Sequence, residues 1–423
     1  MTSTPWKTDR WFSSPWNYLP EVTDGFTFPE KLELHDVTLR DGEQQAGVEF
    51  TTDDKIRIAE LLAEAGVHRI EAGLPAVSKA DERAVREIAR RGLGSKIYAF
   101  SRCMIDDVKL AVDCGVSGVV MEIPSSHHLI ERAYRWPIEK AIDLSIQATS
   151  YAHENGLSVS FFPIDATRSS AVELLDDLSK VATDGHVDAV GLVDTFGVIS
   201  PHAVNYFVSQ VRDRLAVPLE THFHMDLGLG VANTLIAVSM GASCIQTTIA
   251  GLGERAGNTP MEETIVALLT MYGIDTGIKT ERFYPMAQEV LERARVSQPS
   301  NRPVIGERLF NVESGIITTW VKNVGDEFLT EAFPYRPELV GQKPPEIVLG
   351  KGSGLDSVAI WLDRIGVQAT TPEIEAILME VKGRSLETKG LLDEGEFVSI
   401  VDRVLPGRRA ERVPAGAHAE REP

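Results

Sequence analysis

Two histidines, one residue apart, form the chemically most distinctive stretch of the sequence. THFHMD (residues 221–226) follows an apolar run and precedes a glycine-rich stretch. Side chains at i and i+2 of a strand point the same way, so His222 and His224 can present both imidazoles to one point. Imidazole binds Zn, Fe, Mn and Co, while carboxylate and amide oxygens favour harder divalent ions. The pair predicts a divalent metal site; two hydrogen-bonded histidines without a metal are the competing interpretation.

The elements that must position this pair repeat along the chain. From about residue 31 to 285, short runs rich in Val, Ile and Phe alternate with amphipathic stretches of helical period. Eight such runs occur. They are LELHDVT (32–38), HRIEAGL (68–74), KIYAFSR (96–102), GVVMEI (118–123), SVSFFPI (158–164), AVGLVDT (189–195), LETHFHM (219–225) and CIQTTIAG (244–251). This cadence predicts an α/β fold, a closed (β/α)8 TIM barrel. An open doubly wound sheet is the alternative, although no G-x-G-x-x-G follows the first run.

Reactive groups in such a barrel gather at the C-terminal ends of the strands. The predicted strand ends carry Arg40, Asp41, Glu71, Arg102, Ser125, His128, Asp165, Arg168, Asp194, Thr195, His222, His224 and Asn258. Asp41 is the predicted anionic third ligand of the metal, and Asn258 can supply an amide oxygen. Arg40 either polarises a carbonyl oxygen or clamps a carboxylate, or else forms a surface salt bridge. Glu71 is either catalytic or the buried partner of a barrel cation.

Composition and charge narrow the class of ligand. The chain carries 42 Lys and Arg against 62 Asp and Glu, a formal net charge of -20. This negative charge argues against sequence-independent binding to nucleic acid and against binding to an anionic membrane surface. A small molecule is therefore the expected partner. There is neither an apolar run of membrane-spanning length nor a signal-peptide pattern, which predicts a cytoplasmic protein. The three cysteines have no CxxC spacing and are expected to be reduced packing residues.

The cadence also predicts the domain organisation. Residues 1–30, with three tryptophans among prolines, are predicted to be an N-terminal arm that packs on the barrel or on a second subunit. Residues 31–285 form the catalytic barrel, and 286–405 form a smaller, mainly helical C-terminal region. Residues 406–423 lack large apolar side chains and are expected to be disordered.

Six ordered motifs carry a family resemblance. They are DVTLRDGEQ (36–44), EAGLPAVS (71–78), DATR (165–168), DTFG (194–197), HFHMDLGLGVAN (222–233) and GLGERAGN (251–258). These motifs resemble those of the HMGL-like (DRE-TIM) metallolyase superfamily, which contains isopropylmalate, citramalate and homocitrate synthases and hydroxymethylglutaryl-CoA lyase. GLGERAGN is similar to the synthase branch, because the lyases carry a cysteine in that loop. ESGI (313–316), PELVG and LGKGSG extend the resemblance into the C-terminal region.

The resemblance implies a barrel enzyme that condenses an acyl-CoA, such as acetyl-CoA, with a 2-oxo acid. It implies a divalent cation (Mn, Mg, Zn or Co) on Asp41, His222, His224 and Asn258. It also implies that Arg40 contacts the ketone oxygen and that Thr195 lies near the carboxylate. Arg102 and Ser125 are further predicted substrate-binding residues at the strand ends. A homodimer is expected from the same resemblance.

Departures from the synthase pattern concern the groups that activate the acetyl unit. The glutamate that usually precedes the D-A-T-R run is Ile164 here, and the histidine of ESGIH is Ile317. Val312 replaces a second histidine, LGKHSG reads LGKGSG with Gly352, and the Asn of HxHND is Met225. Because an isoleucine cannot move a proton, another group must supply the base if acetyl-CoA is the co-substrate.

The sequence leaves three functions open. The first is an acyl-CoA:2-oxo acid condensing transferase in which Tyr335, His128 or Glu313 replaces the base. The second is a metal-dependent aldolase or lyase that cleaves a 2-hydroxy acid without CoA, since such a cleavage needs no acetyl-activating pair. The third is a catalytically silent binding subunit, against which the retained cluster of charged, metal-capable residues argues.

Overall fold

The computed structural model of the protein describes residues 4–408. These residues form two compact units, one of residues 14–306 and the other of residues 4–13 together with 307–408. The last part of the predicted disordered tail, residues 409–423, lies outside the described residues. The first ten described residues therefore belong with the C-terminal region, while the rest of the predicted arm belongs with the barrel.

Eight parallel strands close the first unit into a barrel. In chain order the strands are β1 (Glu33–Asp36), β2 (Arg69–Glu71), β3 (Lys96–Arg102), β4 (Gly118–Pro124), β5 (Ser158–Ile164), β6 (Ala189–Asp194), β7 (Leu219–Phe223) and β8 (Cys244–Thr247). Each strand pairs with the next in sequence, and β8 pairs with β1. The predicted (β/α)8 barrel is confirmed, and the open doubly wound sheet is excluded because a closed sheet has no edges.

Helices follow the strands. The principal ones are α1 (Thr52–Glu64), α2 (Lys79–Arg90), α3 (Ile105–Cys114), α4 (Ile138–Glu154), α5 (Ala171–Asp184), α6 (Pro201–Arg214), α7 (Gly230–Ser239), α8 (Met261–Tyr272) and α9 (Phe283–Ala294). Local chemistry sets their ends. A capping box between Thr51 and Asp54 starts α1, and Gly115 ends α3 in the left-handed conformation at φ 78°.

The barrel interior is partly polar. Arg69 of β2 pairs with Glu33 of β1 at 2.6 Å and with Glu220 of β7 at 2.7 Å. Its guanidinium lies 5.4 Å from the ring centre of Tyr98, and Ser160 donates a 3.2 Å hydrogen bond to Glu220. The buried carboxylate of Glu220 therefore has a positively charged partner, and this layer of the interior is polar.

Two glycines make room for the aromatic rings of the interior. A Cβ on Gly118 would lie 2.5 Å from a ring carbon of Tyr98, and one on Gly191 would lie 2.8 Å from the ring of Phe162. Both glycines are in strands, where a β-branched residue would otherwise be favoured. Their small size is therefore a packing requirement, and it keeps Phe162 pointing inward beside His222, with the ring centres 5.9 Å apart.

The second unit is mainly helical. It contains α10 (Gly315–Val324), α11 (Leu355–Arg364), α12 (Thr371–Thr388) and α13 (Glu394–Val404), with a small parallel sheet of β9 (Asn311–Val312) and β10 (Glu346–Ile347). Residues 4–13 join it through backbone hydrogen bonds, Phe12 N to Pro334 O at 3.0 Å and Arg336 N to Arg10 O at 2.8 Å. None of the helices in residues 4–408 is long and apolar enough to cross a membrane.

We predict that Gly191→Ala destabilises the barrel unit by about 1–3 kcal/mol, because the added methyl overlaps the ring of Phe162. Urea unfolding of the variant checks this value. Gly42→Ala is the matched control, since its added methyl meets Leu252 only at 3.4 Å. A double variant with Phe162→Leu should recover part of the loss, and strict additivity of the two changes would contradict the packing explanation.

Candidate metal centre

The carboxylate of Asp41 and the imidazoles of His222 and His224 meet in the mouth of the barrel. One ligand atom from each lies within 4.8 Å of the others, and all three residues are buried. The Nε2 atoms of His222 and His224 are 3.4 Å and 3.8 Å from Oδ2 of Asp41. β1 and β7 end on either side of β8, so barrel closure brings residues about 180 positions apart to one point.

Ring orientation at His222 suits a metal ligand. Its Nδ1 lies 2.9 Å from Oε1 of Gln246 on β8. Because an amide oxygen only accepts, this contact places the proton on Nδ1 and leaves the Nε2 lone pair directed at the cluster. At His224, Nδ1 is buried and has no hydrogen-bond partner in the part of the chain that the structure describes.

Asn258 borders the cluster on the loop after β8. Its Nδ2 donates to Oδ1 of Asp41 at 2.9 Å and to the carbonyl of Leu252 at 3.1 Å. The loop is held against the end of β7, where Met225 N donates to Gly257 O at 2.9 Å. Gly257 has φ 88°, and a Cβ there would lie 1.9 Å from a backbone oxygen. The glycines of GLGERAGN thus allow the tight loop that carries Asn258 to Asp41.

Arg40 places a positively charged guanidinium in the mouth of the barrel. Its Nε donates to Oε1 of Glu71 and its Nη1 to Oδ2 of Asp41 at 3.1 Å. The guanidinium lies 4.4 Å from the ring centre of Phe100. Burial alone would lower the pKa of Arg40, but the charges of Glu71 and Asp41 outweigh it and raise that pKa. Its Nη2 is buried without a hydrogen-bond partner among residues 4–408, which leaves a donor for a ligand.

The charges in the mouth do not balance. Asp41, Glu71 and Glu122 are three carboxylates, all within electrostatic reach of the one guanidinium of Arg40. Burial raises the pKa of Glu71 and Glu122, whereas at Asp41 the nearby Arg40 and histidines overcome burial and lower the pKa. Asp41 and Glu71 share the single Arg40 guanidinium, and the two imidazoles lie beside Asp41. A carboxylate and two imidazoles are a ligand set that divalent cations accept, so the residues present fit such an ion.

The other predicted site residues have different surroundings. Thr195 follows β6, and its hydroxyl accepts a 2.8 Å hydrogen bond from Asp165 N. Ser125 is buried and donates to the Ile164 carbonyl at 2.8 Å. Arg102 pairs with Asp107 of α3 at 2.7 Å and is largely exposed, so the structure does not bring it to the metal cluster.

Tyr335 belongs to the other unit. It forms a β-bridge with Trp11, and its ring centre is 6.0 Å from that of Phe310. Three departures from the synthase pattern, at Val312, Ile317 and Gly352, lie in the same unit. Val312 belongs to its apolar core, and Ile317 packs against that core. These two residues therefore contribute packing in this chain, where the resemblance expects proton-transfer groups.

Sequence reasoning missed three residues of the mouth. Gln246 orients His222, and Glu122 of β4 extends toward Arg40. His35 of β1 is buried with its Nε2 3.6 Å from Oε2 of Glu71. Each is a polar residue at an inward position of a strand, one or two residues before the strand end. Strand alternation, applied to whole strands, could have found them.

A closed (β/α)8 barrel with a His/His/Asp cluster at its C-terminal face defines a class of metal-capable barrel enzymes. A model of the HMGL-like family matches residues 31–290. The chain belongs to the HMGL-like family.

Three relatives of the chain are synthases by name. The chain is 36% identical over 385 residues to homocitrate synthase AksA of Methanothermobacter thermautotrophicus, covering 91% of this chain and 96% of the relative. It is 36% identical to the putative (R)-citramalate synthase CimA of Archaeoglobus fulgidus, covering 90% and 77%. It is 34% identical to 2-isopropylmalate synthase of Methanocaldococcus jannaschii, covering 93% and 75%.

Solved structures agree on the fold. HMG-CoA lyase of Bacillus subtilis has a TM-score of 0.58 at 21% identity, covering 64% of this chain and 96% of the lyase. The Brucella melitensis HMG-CoA lyase has a TM-score of 0.57 at 21% identity, covering 63% and 99%. At this identity the likeness concerns the barrel fold and not the reaction.

We predict that His224→Ala weakens binding of Mn²⁺ by at least about 100-fold without unfolding the barrel, because the cluster loses one of its three ligand groups. Titration calorimetry with Mn²⁺ measures the affinity, and circular dichroism measures the fold. His202→Ala, an exposed histidine on α6, is the control and should bind Mn²⁺ as the wild type does. Tight binding by the His224→Ala protein would contradict the assignment of this centre.

Proposed function

We propose that the protein is a divalent-metal-dependent enzyme that condenses an acyl-CoA with a 2-oxo acid, forming a carbon–carbon bond and releasing CoA. The observation that carries the proposal is the buried Asp41–His222–His224 cluster, with Arg40 beside it. Homocitrate, citramalate and isopropylmalate synthases among the relatives support the reaction class. The cytoplasmic location and the homodimer remain predictions.

The side chains around the cluster suit this chemistry. Addition to a ketone turns its oxygen into an alkoxide, so groups that bind growing negative charge accelerate the step. The unpaired Nη2 of Arg40 can donate to that oxygen, since Glu71 and Asp41 hold the guanidinium in place. A divalent cation on Asp41, His222 and His224 supplies Lewis-acid polarisation when bound. Thr195, at the end of β6, is our candidate for binding the substrate carboxylate.

A second candidate function is a metal-dependent aldolase or lyase that cleaves a 2-hydroxy acid without CoA. The apolar Ile164 and Ile317 favour it, because they occupy the positions of the usual acetyl-activating glutamate and histidine. Cleavage needs a base for a hydroxyl proton and a sink for negative charge, and the mouth of the barrel contains carboxylates and Arg40. Both candidates use the same centre, and the dependence on CoA is the property that an assay can separate most directly.

Thiol release from acetyl-CoA separates the two functions. We expect the Mn²⁺- or Mg²⁺-loaded protein to release CoA in the presence of one member of a panel containing glyoxylate, pyruvate, 2-oxoisovalerate, oxaloacetate and 2-oxoglutarate. A thiol reagent measures the release, and chelated protein is the control. If bound metal is confirmed and no 2-oxo acid elicits thiol, the condensation proposal fails. Branched 2-hydroxy acids would then be tested for cleavage to a 2-oxo acid.

Arg40→Lys should lower kcat/KM for the 2-oxo acid by about 10²–10³-fold, the usual effect of losing one donor to a developing oxyanion. An ammonium group keeps the charge but cannot contact Glu71, Asp41 and a ketone with one planar fork. Steady-state kinetics with the 2-oxo acid identified above checks the value. Turnover within a few-fold of the wild type would show that the planar guanidinium is not required.

A further inference from the structure

Glu122 lies inside the barrel mouth, on the side opposite the metal cluster. On β4 it pairs in register with Phe162 of β5, whose ring faces His222. Val120, two residues earlier, pairs with Phe100, whose ring lies under Arg40. Residues two apart on a strand share a face, so Glu122 points inward as well.

The electrostatic neighbours of Glu122 give the same orientation. Its carboxylate senses Arg40 and Asp41 after β1, Glu71 of β2 and His222 of β7. β1 and β7 each lie three strands away from β4 around the barrel, so a side chain that senses groups on both is directed toward the barrel axis. The carboxylate is therefore directed at the space beside the metal cluster and Arg40.

Among residues 4–408, no side chain or backbone group pairs with this carboxylate. Asp41 and Glu71 both pair with Arg40, but within residues 4–408 the Glu122 side chain makes no hydrogen bond and no ion pair. The residue keeps partial solvent exposure, which leaves its carboxylate open to a bound molecule. An acidic side chain that is deep, unpaired and still accessible is suited to accept a proton from a substrate.

Glu122 also lies next to the position where the resemblance expects a carboxylate. Ile164 on β5 pairs in register with Pro124, which is two residues beyond Glu122 on the same face of β4. Two residues along a strand correspond to about 6.6 Å, and one strand across to about 4.8 Å. Glu122 therefore lies on the neighbouring strand, one inward position earlier than Ile164. Its side chain is directed at the same space as the side chain of residue 164.

We propose that Glu122 is the catalytic base that removes a proton from the methyl carbon of the acetyl thioester. This inference rests on the proposed condensation. The C–H electron pair becomes an enolate, and the enolate carbon forms the new bond to the ketone carbon of the 2-oxo acid. The resulting alkoxide takes up a proton, water cleaves the C–S bond of the thioester, and free CoA leaves. Glu122 returns its proton to the alkoxide or to solvent, so the base is regenerated.

The local environment strengthens this base. Burial raises the pKa of Glu122, and Asp41 and Glu71 act in the same direction, while Arg40 and His222 oppose them. A carboxylate with a raised pKa removes a carbon-bound proton more readily than an ordinary glutamate.

His128 is the comparator in the same unit. Its Nε2 lies 3.1 Å from Oδ2 of Asp165, which also binds Ser126 at 2.6 Å and Arg168 at 2.5 Å. Asp165 thus engages one nitrogen of a largely exposed ring. The unpaired, inward Glu122 is the better placed base, and His128→Asn tests the comparison.

The experiment measures two activities of the Mn²⁺-loaded protein. One is CoA release with the active 2-oxo acid, and the other is exchange of the acetyl-CoA methyl protons with D₂O in the presence of an unreactive analogue of that acid. We expect Glu122→Gln to lower kcat by about 10²–10⁴-fold and to abolish exchange. Mn²⁺ affinity and the KM of the 2-oxo acid should stay within about twofold, since the amide keeps the shape of the side chain. Glu122→Asp should retain part of the activity.

Glu131→Gln is the charge-matched control, because this exposed glutamate follows the same strand. It should behave as the wild type does, and His128→Asn should retain exchange. Glu122→Gln protein that keeps more than about half of the wild-type kcat would overturn the base assignment and leave the condensation intact. Loss of Mn²⁺ binding together with activity would also overturn it, since Glu122 would then support the metal centre. A wild-type protein without CoA release would remove the condensation and this inference together.

Discussion

The buried ion pairs of Arg40 are the interaction on which the mouth of the barrel depends. A guanidinium in a low-dielectric recess is stable only with partners, and Glu71 and Asp41 provide them from β2 and from the end of β1. Removing one partner from such a network typically costs about 3–5 kcal/mol, because the remaining charge stays buried. The same pairs align Asp41 with the two histidines and hold an Arg40 donor toward the cavity. The ion pairs of Arg40 with Glu71 and Asp41 therefore contribute both to the stability of the barrel and to the shape of the ligand-binding site.

Barrel closure and the metal-capable cluster could be predicted because their signals are local. Each of the eight predicted runs overlaps a strand, and the H-x-H spacing needs only the two-residue period of β7. Contacts distant in sequence were beyond such reasoning. Strand alternation also does not show that the Arg102 side chain turns to Asp107 and away from the cluster, although that partner lies only five residues later. Residues 4–13 likewise pack with a region about 300 positions later, and β9 and β10 are too short to show a period.

Glu122 shows a second reason why part of the site was missed. Searching strand ends finds residues on the rim, but the mouth of a barrel also receives inward side chains from one layer below. Within GVVMEIP the glutamate interrupts an otherwise apolar run, and a buried strand tolerates such a residue only when the interior is polar. The ion pairs of Arg69 and Arg40 make the interior of this barrel polar. Polar interruptions of barrel strands are thus as informative as the loops that follow them.

The membership of residues 4–13 in the second unit has a consequence for biosynthesis. The ribosome delivers these residues before the barrel, but their partners near Pro334 and Arg336 emerge only after the whole barrel has been made. At about 5–20 residues per second, the delay is roughly 15–60 s. During that time the barrel can fold as a unit. The segment that contains Trp6 and Trp11 has no partner until the residues near Pro334 and Arg336 have been synthesised. The second unit is thus completed by residues translated before the barrel together with residues translated after it.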